Sequence, residues 1–292
     1  MTSASLVEPV LDWYQHHARD LPWRHDDASP WAILVSEFML QQTPVARVLP
    51  AYQAWLARWP TPAALAAEPP GEAVRQWGRL GYPRRALRLH GAAVTIVECY
   101  GGRVPTSHDA LRALPGVGSY TAAAVASFAF QQRHAVLDTN VRRLLARAVR
   151  GVGEAPQATT AAEQRLAERV LPDDPATAAR WAVASMELAA LVCTARSPRC
   201  GDCPIARGCA WGAEGKPRHP GPARPGQRYA GTDRQARGRL LAVLRASPGP
   251  VPREALDAAW DDAVQLARAL DGLIADQLVE PLDGGRFRLP GT

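Results

Sequence analysis

The chain has 292 residues, 47% of them hydrophobic, which is enough for about two domains with their own cores. Its net charge is +6 with a pI near 9.4, and every Lys or Arg position except Lys216 is arginine, which suits a polyanionic partner. The N-terminus lacks the basic region and apolar core of a signal peptide, and no apolar run is long enough to span a bilayer. We therefore expect a soluble cytoplasmic protein and exclude a membrane protein.

Two segments near the N-terminus carry candidate site residues. Residues 7–18 are amphipathic and end at a break over residues 20–24, where Trp23 is, on the residues alone, a half-buried surface anchor. Residues 30–43 are apolar and bracketed by prolines, which predicts a buried helix. Glu37 is the only ionisable side chain between residues 31 and 46. Because an unpaired buried carboxylate is costly, Glu37 has either a structural partner or a place in a functional site.

Residues 45–100 alternate helical patterns with Pro and Gly breaks, and one break carries an aromatic among arginines. In residues 78–85, Tyr82 stands beside Arg84 and Arg85 at the start of a helix. A tyrosine can stack on a base and arginines can bind phosphates, so this loop is a candidate DNA contact. The alternative is that these arginines only form the solvent-exposed, basic start of a helix.

Residues 111–140 contain the pattern around which the rest of the chain is organised. They comprise a short helix, a tight turn at residues 115–118 and an Ala-rich helix. Gly116 and Gly118 allow positive φ angles and close approach of a phosphate, and the following helix offers free N–H groups and the positive end of its dipole. Asp138 follows. A phosphate-binding turn followed by a carboxylate could hold DNA next to a catalytic group. The alternative is an ordinary helix–turn–helix corner in which Asp138 is only the N-cap of the next helix.

Four of the five cysteines crowd into residues 193–209, with Cys99 apart. In an intracellular chain such crowding favours a metal site over disulfides. The spacing C-x6-C-x2-C-x5-C can enclose one [4Fe–4S] cluster or one zinc ion. Zinc ribbons usually present two C-x2-C pairs and this segment has one, which favours iron–sulfur. The candidate ligands are Cys193, Cys200, Cys203 and Cys209.

Arginines near the cysteines and after Asp138 are candidates for phosphate contact, with a solvated face as the alternative for the second group. The arginines of the cysteine segment are Arg196, Arg199 and Arg207; those after Asp138 are Arg142, Arg143 and Arg147.

The C-terminal segment has its own pattern. Residues 211–233 are rich in Pro and Gly and predict a linker and a domain boundary. Beyond them, three amphipathic stretches precede a hairpin that turns at residues 283–285. Helix–helix–helix–hairpin resembles a winged helix. This tail either contacts DNA or packs against the rest of the protein.

Several of these motifs together resemble a known family. LPGVGSYTA followed by LDTNVRR resembles the helix–hairpin–helix–Gly/Pro–Asp signature of the endonuclease III superfamily of DNA glycosylases. LPWR and SEFMLQQT are similar to its A/G-specific adenine glycosylase (MutY) branch, and the cysteine spacing is similar to the cluster loop of the superfamily. The resemblance covers residues 10–215. It departs from the family at Pro83, where a second aromatic is common, and in the tail, which is too short for the usual C-terminal domain related to Nudix hydrolases.

The resemblance implies a mainly α, two-lobed helix–hairpin–helix glycosylase. An iron–sulfur cluster lobe would comprise residues 1–24 and 134–215, and a six-helix barrel lobe residues 25–133. A linker at 216–233 and a winged-helix-like domain at 234–292 would follow.

The resemblance also implies roles for individual residues. Glu37 would protonate adenine N7, and Asp138 would stay ionised and face the sugar, which agrees with the two-carboxylate logic of glycoside hydrolysis. Tyr120 would hydrogen-bond in the catalytic site, where it occupies the position of the Schiff-base lysine of bifunctional relatives, which predicts a monofunctional enzyme. The implied DNA- or base-binding residues are Arg19, Trp23, Arg24, Leu40, Gln41, Gln42, Thr43, Tyr82, Gly116, Gly118 and Asn140.

The expected function is base excision repair of adenine opposite 8-oxoguanine or guanine in double-stranded DNA, by a monomer that holds a [4Fe–4S] cluster and associates with the bacterial nucleoid through DNA. Two alternatives remain. A mismatch thymine or uracil glycosylase would also accept Tyr120, although Glu37 and LQQT argue against it. A non-catalytic iron–sulfur DNA-binding regulator is opposed by the presence of both Glu37 and Asp138.

Overall fold

The computed structural model describes residues 3–217 and 229–292, and most of the linker predicted at 216–233 lies outside these ranges. The described residues form a mainly helical protein, as predicted. None of their helices is long and apolar enough to cross a membrane. The α-helices are α1 (Ser3–His17), α2 (Pro30–Leu40), α3 (Val45–Arg58), α4 (Pro62–Ala66), α5 (Pro70–Trp77), α6 (Arg84–Tyr100), α7 (His108–Arg112), α8 (Ser119–Phe130), α9 (Thr139–Arg150), α10 (Ala161–Val170), α11 (Pro175–Leu191), α12 (Ala210–Ala213), α13 (Asp233–Ala246), α14 (Arg253–Asp257) and α15 (Ala263–Ala275). The strands are β1 (Val251–Pro252), β2 (Glu280–Leu282) and β3 (Arg286–Arg288).

The chain forms two compact units. Unit 1 comprises residues 1–33, 106–112 and 117–223, and unit 2 comprises residues 34–105, 113–116 and 224–292. The finer division into an iron–sulfur lobe, a barrel lobe, a linker and a C-terminal domain stays a prediction.

Unit 1 has a core made by α1, α9, α10 and α11. Leu144, Trp181 and Leu188 are among the buried side chains of this core. The apolar face of α9 is expected from its sequence, but its arginines are not where the sequence suggested. Arg142 and Arg147 are 6% and 3% exposed, so they neither track phosphates nor form a solvated face.

Those two arginines hold unit 1 together from inside. Arg142 donates through Nε to Glu163 Oε1 at 2.9 Å and through Nη2 to the carbonyl of Pro156 at 2.8 Å. Arg147 donates to the carbonyls of Gly153, Thr194 and Ala195. A buried cation is tolerated when its donors are satisfied in this way.

Unit 2 is built around packed tryptophans. Trp55 contacts Trp59 edge-on with ring centroids 4.6 Å apart, and Trp77 with centroids 5.7 Å apart. All three rings are fully buried, and edge-to-face geometry is a preferred arrangement of aromatic pairs. These rings come from α3, α5 and the residue that follows α3.

The C-terminal segment of unit 2 has the predicted order of three helices and a hairpin. Strands β1, β3 and β2 form an antiparallel sheet in that order, with Val251 and Pro281 both opposite Phe287. The turn between β2 and β3 falls at residues 283–285, as expected from Asp-Gly-Gly.

This C-terminal segment packs against α5, which is one of the two alternatives left open by the sequence. Arg75 Nη1 donates to the carbonyls of Arg245 and Ser247 at 2.5 and 2.6 Å, next to the C-terminal end of α13. Arg245 Nε in turn donates to the carbonyl of Val74 at 2.9 Å. Because orphan carbonyls at a helix end need donors, this exchange fixes α13 on α5.

Candidate active site and metal centre

Glu37 lies on a helix that is buried over most of its length. Every residue of α2 from Trp31 to Met39 is buried, and Glu37 is 5% exposed. The helix ends at Leu40, three residues before the predicted end at Thr43. Glu37 is therefore a buried carboxyl group on an apolar helix.

The residues after α2 form a turn with backbone strain. Gln42 is exposed and has φ 52°, in the left-handed region that non-glycine residues rarely adopt. Thr43, by contrast, is 7% exposed and donates from Oγ1 to the carbonyls of Gln41 and Leu80. Of the four predicted DNA contacts at residues 40–43, Gln42 is the one whose side chain is exposed.

Arg85 fixes this turn from inside unit 2. Its Nη1 donates to the carbonyls of Phe38, Met39 and Gln41 at 2.9, 3.1 and 2.6 Å. Its Nη2 donates to Thr43 Oγ1 at 3.0 Å and to the carbonyl of Gly81 at 3.1 Å. Burial lowers the pKa of Arg85 to about 10. The idea that Arg85 binds phosphate is therefore wrong, because its side chain is buried and both terminal nitrogens donate to groups of the protein itself.

Tyr82 is an exposed residue of the loop at residues 78–83, which Arg85 also contacts through the carbonyl of Gly81. It has φ 46° and its side chain is 45% exposed. The guanidinium carbons of Arg85 and Arg234 lie 5.6 and 4.9 Å from the centre of its ring. Strained backbone at both Gln42 and Tyr82, two residues predicted to contact DNA, is what a functional loop pair would show.

The two glycines of the hairpin turn have different roles. Gly116 has φ 79°, and a Cβ there would lie 2.7 Å from Arg88 Cβ and 3.0 Å from Phe38 Cε1, so glycine is required. Gly118 has φ −89° and is the residue before α8, so the expectation of a positive φ is wrong there. A Cβ at Gly118 would meet no atom within 4 Å, which leaves its backbone open to an approaching group.

Tyr120 stands in the first turn of α8, as predicted. Its ring is partly buried and packs with Ala123, Ala124 and Val136 of unit 1.

Asp138 is both the N-cap of α9 and the start of a hydrogen-bond chain. Its Oδ1 accepts from the Val141 N–H at 2.7 Å, and its Oδ2 accepts from Asn140 Nδ2 at 2.7 Å. Asn140 Oδ1 then accepts from Arg143 Nη2 at 3.0 Å, and Arg143 Nε donates to the carbonyl of Cys193 at 2.8 Å. Asn140 thus orients the carboxylate of Asp138. The series of hydrogen bonds connects this carboxylate with Cys193, the first cysteine of the metal segment.

The charge state of Asp138 is set by opposing effects. Burial raises its pKa above the ordinary value, while the hydrogen bonds from Val141 and Asn140 and the charge of Arg143 act to lower it. The expectation that Asp138 stays ionised therefore depends on these three neighbours.

A further buried carboxylate, Glu187, is not singled out by the sequence analysis. Its side chain is fully buried, and it accepts from Arg19 through both oxygens at 2.7 Å and from Arg24 Nη2 at 2.8 Å. These hydrogen bonds hold the pKa of Glu187 at about 2, against the opposing effect of burial. The signal that singled out Glu37, one carboxylate on an apolar helix, is also present in α11.

This pairing positions the N-terminal site residues. Arg19 and Arg24 converge on Glu187, and Trp23 between them is 7% exposed. Arg24 also lies 6.0 Å from the centre of the Tyr14 ring, and its Nη1 is buried without a hydrogen-bond partner in the described structure.

The four predicted metal ligands surround one cavity of unit 1. Cys193, Cys200, Cys203 and Cys209 all line a cavity of about 230 Å³. Within the described residues, no three His, Cys, Asp or Glu side chains form a group that fits one metal ion, so the sulfurs surround the cavity rather than meet at a point.

The donor set fits an iron–sulfur cluster. Four thiolates are the usual ligands of a [4Fe–4S] centre. Burial raises the pKa of the Cys203 thiol to about 11, and the neighbouring cysteines act in the same direction, so the group needs a cation to stay deprotonated. Arg147 contacts the cysteine segment: its Nη1 lies 3.5 Å from Cys193 Sγ, and its guanidinium lies 4.6 Å from the centre of the Trp211 ring. Arg196, Arg199 and Arg207 are exposed, as the sequence suggested.

Comparison with known proteins agrees with this geometry. Residues 35–172 match the HhH-GPD superfamily of base excision DNA repair proteins, and residues 193–209 match the iron–sulfur binding domain of endonuclease III. The second match begins and ends at the outermost cysteines, so the cofactor is a [4Fe–4S] cluster rather than zinc. Fold and site together define a helix–hairpin–helix DNA glycosylase.

The relatives are more specific. The adenine DNA glycosylase of Mycolicibacterium smegmatis is 55% identical over 290 residues, which covers 99% of this chain and 97% of the relative. The human adenine DNA glycosylase is 42% identical over 210 residues, 68% of this chain and 38% of the human protein. The chain belongs to the adenine DNA glycosylase family.

Solved structures share the fold. A thermostable thymine-DNA glycosylase matches with a TM-score of 0.66 at 29% identity, over 73% of this chain and 97% of that one. Endonuclease III in a trapped covalent complex with DNA matches with a TM-score of 0.61 at 21% identity, over 73% of this chain and 98% of that one.

Proposed function

We propose that this protein hydrolyses the N-glycosidic bond of adenine mispaired with 8-oxoguanine or guanine in double-stranded DNA. The observation that carries the proposal is Glu37, a carboxyl group buried on an apolar helix. Expelling adenine requires an acid near the base, and burial in general disfavours the charged form of a carboxyl group. Membership of the adenine DNA glycosylase family supports the same substrate.

The chemistry begins with extrusion of the adenine from the stack, since a base inside a duplex is out of reach. Glu37 gives a proton to N7, and adenine leaves with the electron pair of the C1′–N9 bond. Asp138, as the anion, stabilises the positive charge that develops on the sugar. Water then adds to C1′, and the proton that it loses passes to the Glu37 carboxylate, which restores the initial state with Glu37 protonated and Asp138 ionised. Asn140 orients Asp138 throughout.

The absence of a lysine from the hairpin makes the reaction monofunctional. Schiff-base chemistry needs an amine at the sugar, and the hairpin position holds Tyr120 instead. The only lysine of the chain is Lys216. We therefore expect base release to leave an intact strand with an abasic site.

The cysteine segment would hold the cluster through Cys193, Cys200, Cys203 and Cys209. When bound, the cluster supplies a fixed frame for residues 193–209 rather than a chemical step. That frame presents the exposed Arg196, Arg199 and Arg207 to DNA phosphates and keeps the Cys193 carbonyl in reach of Arg143.

A single-turnover measurement of base release from three duplexes tests the proposal. The duplexes carry adenine opposite 8-oxoguanine, adenine opposite guanine, and thymine or uracil opposite guanine. Fast release from the first is expected and would establish that this short chain suffices for lesion recognition. Release from adenine–guanine alone would remove the lesion preference.

The third duplex, with thymine or uracil opposite guanine, tests the competing pyrimidine substrate. The thymine-DNA glycosylase of Aeropyrum pernix is 38% identical over 205 residues, 69% of this chain and 91% of that relative. Release of pyrimidines alone would overturn the adenine assignment. If the Asp138→Asn variant still released base at the rate of the parent, the proposed carboxylate chemistry would be overturned.

A further inference from the structure

An exposed cluster of two tyrosines and one arginine lies at the start of the C-terminal segment. The guanidinium carbon of Arg234 is 4.9 Å from the centre of the Tyr82 ring and 5.9 Å from that of Tyr229. The tyrosine side chains are 45% and 53% exposed, and Arg234 is itself exposed. This Tyr82–Arg234–Tyr229 cluster belongs entirely to unit 2.

The position of Arg234 is unfavourable for the stability of its own helix. It is the second residue of α13, which Thr232 caps, and a positive charge in a first helical turn opposes the helix dipole. The backbone of Tyr82 is also strained, because its φ of 46° lies in the left-handed region. Local features that cost stability at one surface point are expected where the surface has a function.

The charge around the cluster is positive. Arg79 and Arg84 are exposed on either side of Tyr82 in the sequence. Two acidic residues nearby are already paired, Asp276 with Arg84 at 3.2 Å and with Arg237, and Asp233, which precedes Arg234, with Arg268 at 2.6 Å. An arginine between exposed aromatic rings, with further arginines beside it, is suited to a polyanion that also offers stacking surfaces. DNA has both properties, which a protein surface rarely combines.

We propose that the C-terminal segment takes part directly in DNA binding, with Arg234 binding a backbone phosphate next to the Tyr82 loop and Tyr229 packing along the same strand. The proposal rests on the proposed function insofar as Tyr82 faces the DNA. It gives the tail a second role beyond its packing on α5. It also gives this short-tailed chain a DNA contact outside residues 10–215.

Salt-dependent binding of a duplex with adenine opposite 8-oxoguanine tests the proposal. The Asp138→Asn background prevents turnover, and Arg234→Ala is compared with Arg239→Ala, which removes the same charge from an exposed position on the same helix. One phosphate contact contributes roughly 0.9 to the slope of log K against log salt. Arg234→Ala should therefore lower that slope by about 1 and weaken binding several-fold at low salt, whereas Arg239→Ala should change neither.

Further variants separate a phosphate contact from a structural effect. Arg234→Lys should keep the salt slope, and Tyr229→Ala should weaken binding with the slope unchanged. Equal binding and slope for Arg234→Ala and Arg239→Ala would overturn the proposal, as would a loss for Arg234→Ala that is the same at every salt concentration. If the parent chain releases no adenine while Arg234 still governs the salt slope, the proposed function fails and this inference stands.

Discussion

Arg85 Nη1 donates to the carbonyl oxygen of Gln41 at 2.6 Å, and this contact joins the two loops of unit 2 that carry strained, exposed residues. The same guanidinium reaches the carbonyl of Gly81, next to Tyr82. Gln42 and Tyr82 are thus held by one buried cation that does not itself face solvent. A shared support of this kind fixes their spacing, as the proposed contact of both residues with one DNA duplex would require.

Arg85→Met should destabilise the protein strongly. The substitution leaves several buried carbonyls without a donor, and we expect a loss of about 3–5 kcal/mol in the free energy of unfolding. Denaturant unfolding measures this loss. The control is Arg88→Met on the exposed side of the same helix, which should change the free energy by less than about 0.5 kcal/mol. Similar losses for both variants would contradict the assigned role.

Some parts of this site could be predicted from local sequence and others could not. Glu37, the glycine turn and the four cysteines each leave a signal within a few residues, because apolar helices, tight turns and metal loops are local patterns. The sequence suggests a phosphate contact for Arg85 because its actual partners, at residues 38–43, are more than forty positions away and leave no local signal. A sequence shows that an arginine is present, and only the fold shows which carbonyls it meets.

Glu187 illustrates the same limit. Its partner Arg19 is 168 positions away, so no spacing rule connects them. The order of three helices and a hairpin in the C-terminal segment follows from its sequence pattern and is confirmed, whereas its likeness to a winged helix stays a prediction. The packing of this segment on α5 depends on Arg75 and Arg245, which carry no local signal of contact.

Glu187→Gln should reduce stability in a pH-dependent way. Because the pKa of Glu187 is lowered from 4.5 to about 2, its ionised form stabilises the folded state fully above about pH 4.5, and this contribution is lost as the pH falls toward 2. The variant should lose up to about 3 kcal/mol at pH 7, and the difference from the parent should be about 1 kcal/mol smaller at pH 3.5. Urea unfolding at the two pH values measures it; a difference independent of pH would count against this linkage.

Cys200→Ser should prevent assembly of the iron–sulfur cluster. Removing one of four thiolates leaves an incomplete ligand set around the cavity. Purified variant protein should contain little iron and lack the visible charge-transfer absorption of the parent. Cys99→Ser is the matched control, because Cys99 is exposed and lies outside the cysteine segment, and its iron content should equal that of the parent. Iron loss in both variants would indicate an unspecific effect.

Gly116→Ala and Gly118→Ala should separate folding from DNA contact. Gly116 has φ 79° and a Cβ would collide with Arg88, so its replacement should cost roughly 1–3 kcal/mol of stability. Gly118 has an ordinary φ and open space, so Gly118→Ala should fold normally. If a phosphate approaches this backbone, the added methyl group should weaken DNA binding. Thermal unfolding and duplex titration give the two readouts, and unchanged binding by a well-folded Gly118→Ala would exclude the close approach.

Asn140→Ala should move the acid limb of the pH–rate profile to higher pH. Burial raises the pKa of Asp138, and the hydrogen bond from Asn140 lowers it by favouring the anion, so removing the donor should raise the pKa further. Base release needs the anion and is therefore lost as the pH falls through this pKa. Single-turnover rates between pH 4.5 and 8 would locate the limb.

Thr139→Ala, at the exposed neighbouring position, is the control for this displacement and should keep the limb of the parent. A uniform fall in rate for Asn140→Ala, with the limb unmoved, would mean that Asn140 acts on DNA rather than on Asp138. A displaced limb would instead establish that the hydrogen bond between Asn140 and Asp138 sets the fraction of enzyme that carries the anion. In that case Arg143, which donates to Asn140 Oδ1 and to the Cys193 carbonyl, should displace the limb in the same direction when it is replaced by Met.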